Sequence, residues 1–210
     1  NLDALGKYPL TEVKHISPVG LGSMSRGYVD DRTNSLIAAF RYPGKIGFLG
    51  KMDLGSGKVT PLTDLKGMML YKVTSLAFDP DARTAYYTNQ NYAFRELMAI
   101  DVDTGKKRKL LTDARIGDLT LNRADKSLWG IRHQNGYVTI VRLPAPYTSF
   151  NQVKTFRYGE IVWDLDLSPD GELLAGSTST VDGKQALKVW RRSDVEQGNT
   201  EDPIATPALP

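Results

Sequence analysis

Apolar and polar residues alternate in short runs along most of this chain, and each run stops at a tight polar turn. The run VTSLAF (73–78) is followed by Asp79-Pro80-Asp81-Ala82 and then by a second run, RTAYYTN (83–89). Proline presets φ in such a turn, and the aspartates accept backbone N–H groups, so the chain reverses between two strands. A third run, RELMAIDV (95–102), leads into the hairpin DTGK (103–106), where Gly105 is free to take positive φ. The run KRKLLTD (107–113) completes the unit. Four antiparallel strands in about 45 residues predict one small meandering sheet.

The same pattern is written four times. The fullest copy is VWDLDLSPDGELLAGSTS, with the turn Ser168-Pro169-Asp170-Gly171. The others centre on Asp31-Arg32-Thr33-Asn34, Asp79-Pro80-Asp81-Ala82 and Asn122-Arg123-Ala124-Asp125. Turns beginning at 31, 79, 122 and 168 are spaced by 48, 43 and 46 residues, a period that predicts an all-β fold, a β-propeller of about four four-stranded blades. The blades are expected at 25–67, 68–114, 115–160 and 161–200, with the outer strand of the last the least clear. Inner strands line a central channel, and their period of two sends alternate side chains to opposite sides. Leu76 and Phe78, Leu119 and Leu121, and Leu165 and Leu167 then pack between blades. Gly27, Ser75, Asp118 and Asp164 share one position, four residues before each turn, facing the axis.

The first residues carry a further copy of the outer strand. Tyr8-Pro9-Leu10-Thr11-Glu12-Val13 matches Thr60-Pro61-Leu62-Thr63-Asp64-Leu65 and Lys109-Leu110-Leu111-Thr112-Asp113-Ala114. Residues 1–24 are therefore expected to form the outer strand of a preceding or closing blade plus a connection, and 201–210 a Pro-rich tail. The favoured expectation is a segment of a larger propeller protein.

Residues 166–190, DLSPDGELLAGSTSTVDGKQALKVW, resemble the TolB-type, WD40-like propeller repeat, and FDPDARTAYYTNQ followed by LMAIDVDTGK resembles it too. The Gly-His pair of eukaryotic WD40 repeats is absent, and the one Trp-Asp pair, Trp163-Asp164, falls on an inner strand. The resemblance implies a bacterial cell-envelope setting, periplasmic, and a role in recognising a protein or peptide partner. The same repeat builds the gating propeller of prolyl-oligopeptidase-type serine peptidases, which is the alternative: a propeller whose catalytic domain is not in this sequence.

Composition narrows the chemistry. The 27 basic and 24 acidic side chains are mixed along the chain, giving a net charge of +3, whereas a nucleic-acid groove needs clustered basic charge. The one dense basic run, Lys106-Lys107-Arg108-Lys109, falls on a hairpin and outer strand and reads as a solvated edge. No cysteine occurs, which excludes disulfides and Cys-ligated zinc. The longest clear apolar run, LIAAF (36–40), is far too short to span a bilayer. Only two histidines, His15 and His133, exist, and no Gly-x-Ser-x-Gly elbow is present. No catalytic set and no cofactor is expected. Gly55-Ser56-Gly57-Lys58 sits in a strand–strand hairpin with Val59 after the lysine, so turn chemistry explains it better than phosphate binding.

Partner contacts are expected from Asp118, Asp164 and Arg132 at the channel mouth. Tyr147 and Phe150, on the long connection LPAPYTSFNQ (143–152), are expected on the rim, where apolar side chains lack an obvious core role. Asp118 and Asp164, with Asp166 nearby, are also the candidates for a hard cation; the competing role for each is to accept backbone N–H groups. The other aromatic residues of the later repeats, Tyr137, Tyr158 and Trp163 among them, are expected mostly to fill space between blades.

Overall fold

A computed structural model of the chain describes residues 20–65, 75–88 and 96–206. The repeated pattern folds as four antiparallel meanders. The first comprises β1 (Ser23–Asp30), β2 (Ser35–Arg41), β3 (Phe48–Asp53) and β4 (Val59–Asp64). The second comprises β5 (Ser75–Asp79), β6 (Thr84–Thr88), β7 (Leu97–Asp101) and β8 (Lys107–Leu111). The third runs through β9 (Ile116–Leu121), β10 (Leu128–Gln134), β11 (Tyr137–Leu143) and β12 (Asn151–Thr155), and the fourth through β13 (Ile161–Leu167), β14 (Leu173–Ser179) and β15 (Gln185–Arg191). Within each sheet the strands lie in chain order. The first strands meet one another, β1 against β5, β5 against β9 and β9 against β13, so the sheets are the blades of a four-bladed β-propeller. The outer-strand copy at 8–13 lies outside the described residues.

Blade 4 departs from the expected four strands. Among the described residues it has three, and the chain leaves β15 directly into the short helix α1 (Arg192–Glu196). Among the described residues the returning segment bridges the sheet edge at Val189, whose N–H donates to Ala205 O at 2.9 Å and whose C=O accepts the Ile204 N–H at 2.8 Å. Trp190 anchors this return by donating its indole N–H to Thr200 O at 2.9 Å.

Strand pairing corrects the alignment of the first repeat by one residue. Asp30 pairs with Ser35 and Asp79 with Thr84; Asn122 N–H bonds Ser127 O, and Ser168 N–H bonds Leu173 O. The turn positions are therefore Asp30, Asp79, Asn122 and Ser168, not Asp31, and the equivalent of Ser75, Asp118 and Asp164 is Arg26 rather than Gly27. The Asp30-Asp31 doublet hid this, because either side chain suits a turn cap.

Alternation places the core as expected. Leu119 and Leu121 pack with Ala77, Tyr86 and Leu97 between blades 2 and 3. Leu76 and Phe78 pack with Ile37, Ala39 and Leu49 between blades 1 and 2, and Leu165 and Leu167 pack with Trp129, Ile131 and Trp190 between blades 3 and 4.

A second, polar repeat ties the blades at the end where the β1–β2, β5–β6, β9–β10 and β13–β14 turns lie. Each turn closes on a residue at positive φ: Asn34, Arg83, Lys126 and Gly171. Three of these dock on the preceding blade's turn cap. Arg83 grips Asp30 through both Nη atoms, at 2.7 and 2.8 Å, and Asp103 of its own blade at 2.8 Å. Lys51 of blade 1 joins Asp103 at 3.1 Å. Lys126 reaches Asp79 and Asp81 at 3.0 and 2.5 Å. Gly171 has no side chain because Asn122 fills the space: a methyl group there would stand 2.3 Å from Asn122 Oδ1. Bidentate pairing with Arg83 lowers the Asp30 and Asp103 pKa values and raises that of Arg83.

Candidate functional site

The axis and the opposite, loop end hold the side chains that the packing does not consume. At the axis, Arg26 of blade 1 crosses to the far blades. Its Nη1 donates to Leu165 O at 3.2 Å, and its Nη2 lies 3.5 Å from Asp118 Oδ2. Asp118 is buried and accepts the Leu165 N–H at 2.7 Å. Burial pushes its carboxyl up to about 6, while Arg26 and the Leu165 N–H pull the other way. One level towards the turns, Thr120 donates to Asp166 at 2.9 Å. The neighbouring Tyr28 hydroxyl is buried without a well-formed hydrogen bond, and that burial raises its pKa to about 12. Asp118 thus ties blades 1, 3 and 4 together. Its carboxylate is engaged, in the backbone-accepting role that competed with ligand binding in the sequence.

Asp164 and Asp166 differ from Asp118 in exposure. Both are exposed, with Asp164 accepting from Ser177 Oγ at 3.1 Å. Among the described residues, no three His, Cys, Asp or Glu side chains converge as a metal site, so the structure does not gather Asp118, Asp164 and Asp166 around a cation. The hydroxyl pair at Ser75 and Thr88 completes this level, with Thr88 donating to Ile116 O at 2.5 Å.

Arg132 is placed away from these carboxylates. Its guanidinium stacks over Phe150, 5.2 Å from the ring centroid, and its Nη1 bonds Gln134. Burial lowers its pKa. Tyr147 overturns the expectation of a rim side chain. It is 5% exposed, its ring meets Tyr86 edge-on at 4.8 Å, and its hydroxyl donates to Lys126 O at 2.6 Å. Phe150 is half-buried against the same cluster. The 143–152 connection joins β11 to β12, so it lies at the turn end, where the Tyr147 backbone at φ 68 turns the ring inward.

Among the described residues the exposed aromatic side chains are instead three that the sequence suggested as filling. Tyr137 is 46% exposed, Tyr158 69%, Trp163 54% and the nearby Val181 75%. They are held nonetheless. Tyr158 meets Tyr137 edge-on at 5.6 Å and lies on Gly136, where a methyl group would stand 2.5 Å from the ring. Val181 lies over Gly159, where a methyl group would stand 2.8 Å from it. Trp163 donates its indole N–H to Ser179 Oγ at 3.1 Å. The signal in the sequence was the adjacent glycine: Asn135 and Gly136, both at positive φ, form the two-residue hairpin that presents Tyr137.

Beside these rings is a shallow cleft between blades 3 and 4. Its lining includes Phe156, Ile161, Thr178, Ser179 and Lys188, with the carboxylates Glu160 and Glu201. His133 is half-buried with its pKa lowered by burial, and its ring makes no hydrogen bond to a described residue. His15 lies outside the described residues. At Gly55-Ser56-Gly57-Lys58, Asp53 accepts the Ser56 N–H and Oγ at 2.6 Å each. Asp101 accepts the Thr104 N–H in the same way at 2.7 Å. Both hairpins are one turn design, and the loop donors are already engaged. Among the described residues no helix is long and apolar enough to cross a membrane.

No known family pattern and no curated protein matches the chain. Solved structures do. TolB from Acinetobacter baumannii is similar with a TM-score of 0.66 at 16% identity, over 84% of this chain and 42% of that one. A putative TolB from Agrobacterium tumefaciens gives 0.67 at 12% identity, over 87% of this chain and 65% of that one. An oligogalacturonate lyase in complex with manganese gives 0.59 at 14% identity, over 86% and 53%. The chain thus spans between two fifths and two thirds of these proteins. At such identities the likeness is one of fold.

Proposed function

We propose that this chain is a non-catalytic recognition scaffold of a larger bacterial cell-envelope protein, and that it holds a protein or peptide partner at the loop end of blades 3 and 4. The observation that carries this reading is a set of exposed aromatic rings fixed in place. Tyr137, Tyr158 and Trp163 present large apolar surface to solvent, while Tyr158 packs on Gly136 and Tyr137 and the Trp163 indole is tied to Ser179. Exposed but immobilised Tyr and Trp side chains suit an interface, because little conformational freedom is left to lose on binding. Asp164, which follows Trp163 in β13, adds an exposed carboxylate to the same blade. The envelope setting is supported by the Ser-Pro-Asp-Gly repeat and by the similarity of fold to TolB proteins.

The reading is tested with a photo-cross-linking amino acid placed at Tyr158 or, at the turn end, at Lys58, each exposed to an envelope extract of the source organism. A discrete adduct from position 158 and none from position 58 is expected. Equal labelling from both positions, or none from position 158, overturns it.

A further inference from the structure

Lys188 stands where the repeat elsewhere places a core residue. It lies opposite Gly176, three residues beyond Leu173, which closes the turn of its blade. The same position is Gly50 opposite Ala38 in blade 1, Met98 opposite Tyr87 in blade 2 and Val141 opposite Gly130 in blade 3. Val141 is buried, and Met98 packs against the core between blades 1 and 2. Alternation sets Lys188 on the same face of β15 as Trp190, which is buried between blades 3 and 4. The lysine is therefore carried into the loop end of that interface. It is half-buried, and no described residue forms an ion pair or hydrogen bond with its ammonium. Holding a cation part-way out of water without a partner costs stability, where an apolar side chain would add to it.

The cleft around Lys188 supplies the rest of a binding site. Ser179 brings a hydroxyl, Phe156 and Ile161 bring apolar surface, and Glu160 and Glu201 bring carboxylates. Ser179 Oγ accepts the Trp163 indole N–H, which leaves its own proton to donate. Neither carboxylate pairs with Lys188, and both are loosely held. Glu160 accepts the Arg157 backbone N–H at 3.2 Å, and Lys154 Nζ lies 3.9 Å from Glu201. Opposite charges kept apart across one small cleft suit a molecule that carries both. We infer that this cleft binds a small zwitterion, an apolar α-amino acid. Its carboxylate meets Lys188 and Ser179, its ammonium meets Glu160 and Glu201, and its side chain lies on Phe156 and Ile161. Charge-assisted hydrogen bonds at both ends fix its orientation, and the apolar wall selects its side chain. The cleft makes no demand on partner capture by the exposed rings, so failure here leaves the loop-end reading standing.

The probes are L-leucine, leucinamide, which lacks the carboxylate, and N-acetylleucine, which lacks the ammonium, each titrated against the full chain by calorimetry. Leucine is expected to bind saturably below about 1 mM. Either capped form should bind at least about tenfold more weakly, since each forfeits one charge-assisted end. This arm needs no change to the protein. Lys188→Met gives blade 4 the side chain that blade 2 carries, and should bring leucine down to the affinity of leucinamide. The Tm of this variant should match or exceed that of wild type; a fall in Tm would mark Lys188 as structural and overturn its role. Glu160→Gln with Glu201→Gln should bring leucine down to the affinity of N-acetylleucine. Leucinamide binding as tightly as leucine overturns the inference, since the cleft then reads only a cation such as a polypeptide N-terminus. N-acetylleucine binding as tightly overturns it in favour of a C-terminal carboxylate. Leucine binding that Lys188→Met leaves within about twofold, or no leucine binding by wild type at about 1 mM, overturns it outright.

Discussion

At the turn end of the propeller, Arg83 holds two carboxylates, Lys126 holds two more, and Gly171 is pressed against Asn122. At the loop end, Tyr158 and Val181 rest on glycines with most of their own surface in water. The same repeat produces both ends, yet one is closed by polar pairing between consecutive blades and the other leaves apolar side chains uncovered. If the loop end is the binding face, stability and recognition are separated along the axis, and substitutions at the two ends should have opposite signatures.

The largest effect is expected from Arg83→Met. Asp30 is buried, and without the guanidinium it remains as an uncompensated charge beside Thr33. Losing one partner of a buried ion pair costs about 3–5 kcal/mol. Urea unfolding should therefore show a loss of this size, with the loop-end adduct at position 158 retained in the folded fraction. A loss below about 1 kcal/mol would mean that the latch is ornamental.

Next comes the axis, which belongs to neither end. The Asp118 carboxyl is raised from 3.8 to about 6, so the folded protein binds this proton more tightly than the unfolded chain does. The group's contribution to stability is full below pH 3.8 and is lost as pH rises through about 6. That loss amounts to about 3 kcal/mol. In Asp118→Asn this part of the pH dependence should disappear, while the amide oxygen still accepts the Leu165 N–H. An unchanged slope of unfolding free energy between about pH 4 and 7 would remove the assignment.

A smaller effect of the same kind is expected at Gly171→Ala, where φ is 75 and the added methyl meets Asn122. Strain at such a position costs about 1–3 kcal/mol. Asn122→Ala should relieve part of it, so the double variant should be more stable than the sum of the two single losses predicts. Simple additivity would show that the contact carries none of the strain.

These features differ in how far the sequence disclosed them. The strand alternation of Leu76 and Phe78 or Leu119 and Leu121 reports burial directly, because one face of each inner strand meets the next blade. Turn chemistry located the four reversals. It could not choose between Asp30 and Asp31, and that single residue concealed Arg26 as the cation opposite Asp118. Tyr147 was illegible for another reason: a tyrosine in a Pro-rich connection looks exposed until its backbone turns it onto Tyr86. Conversely, Tyr158 looked like filling, since only three dimensions bring it onto Gly136. Local pattern fixes strands and turns, while long-range contact decides which loop side chain is covered.

The sharpest separation of the two ends comes from the smallest expected stability change, Tyr158→Ala. The ring is 69% exposed, so truncating it removes little burial, and the unfolding free energy should shift by no more than about 0.5 kcal/mol. If the loop end is a binding face, the same change should reduce partner capture severely, with the cross-linker moved to Tyr137, because an immobilised aromatic anchor contributes about 2 kcal/mol or more to an interface. Arg83→Met is the mirror image, costly in stability and neutral in capture. Should Tyr158→Ala instead destabilise the fold by an amount like that of Arg83→Met, the ring would be a structural brace between the hairpin at Gly136 and the connection at Gly159. The contrast between the ends would then reduce to two ways of holding the same blades together.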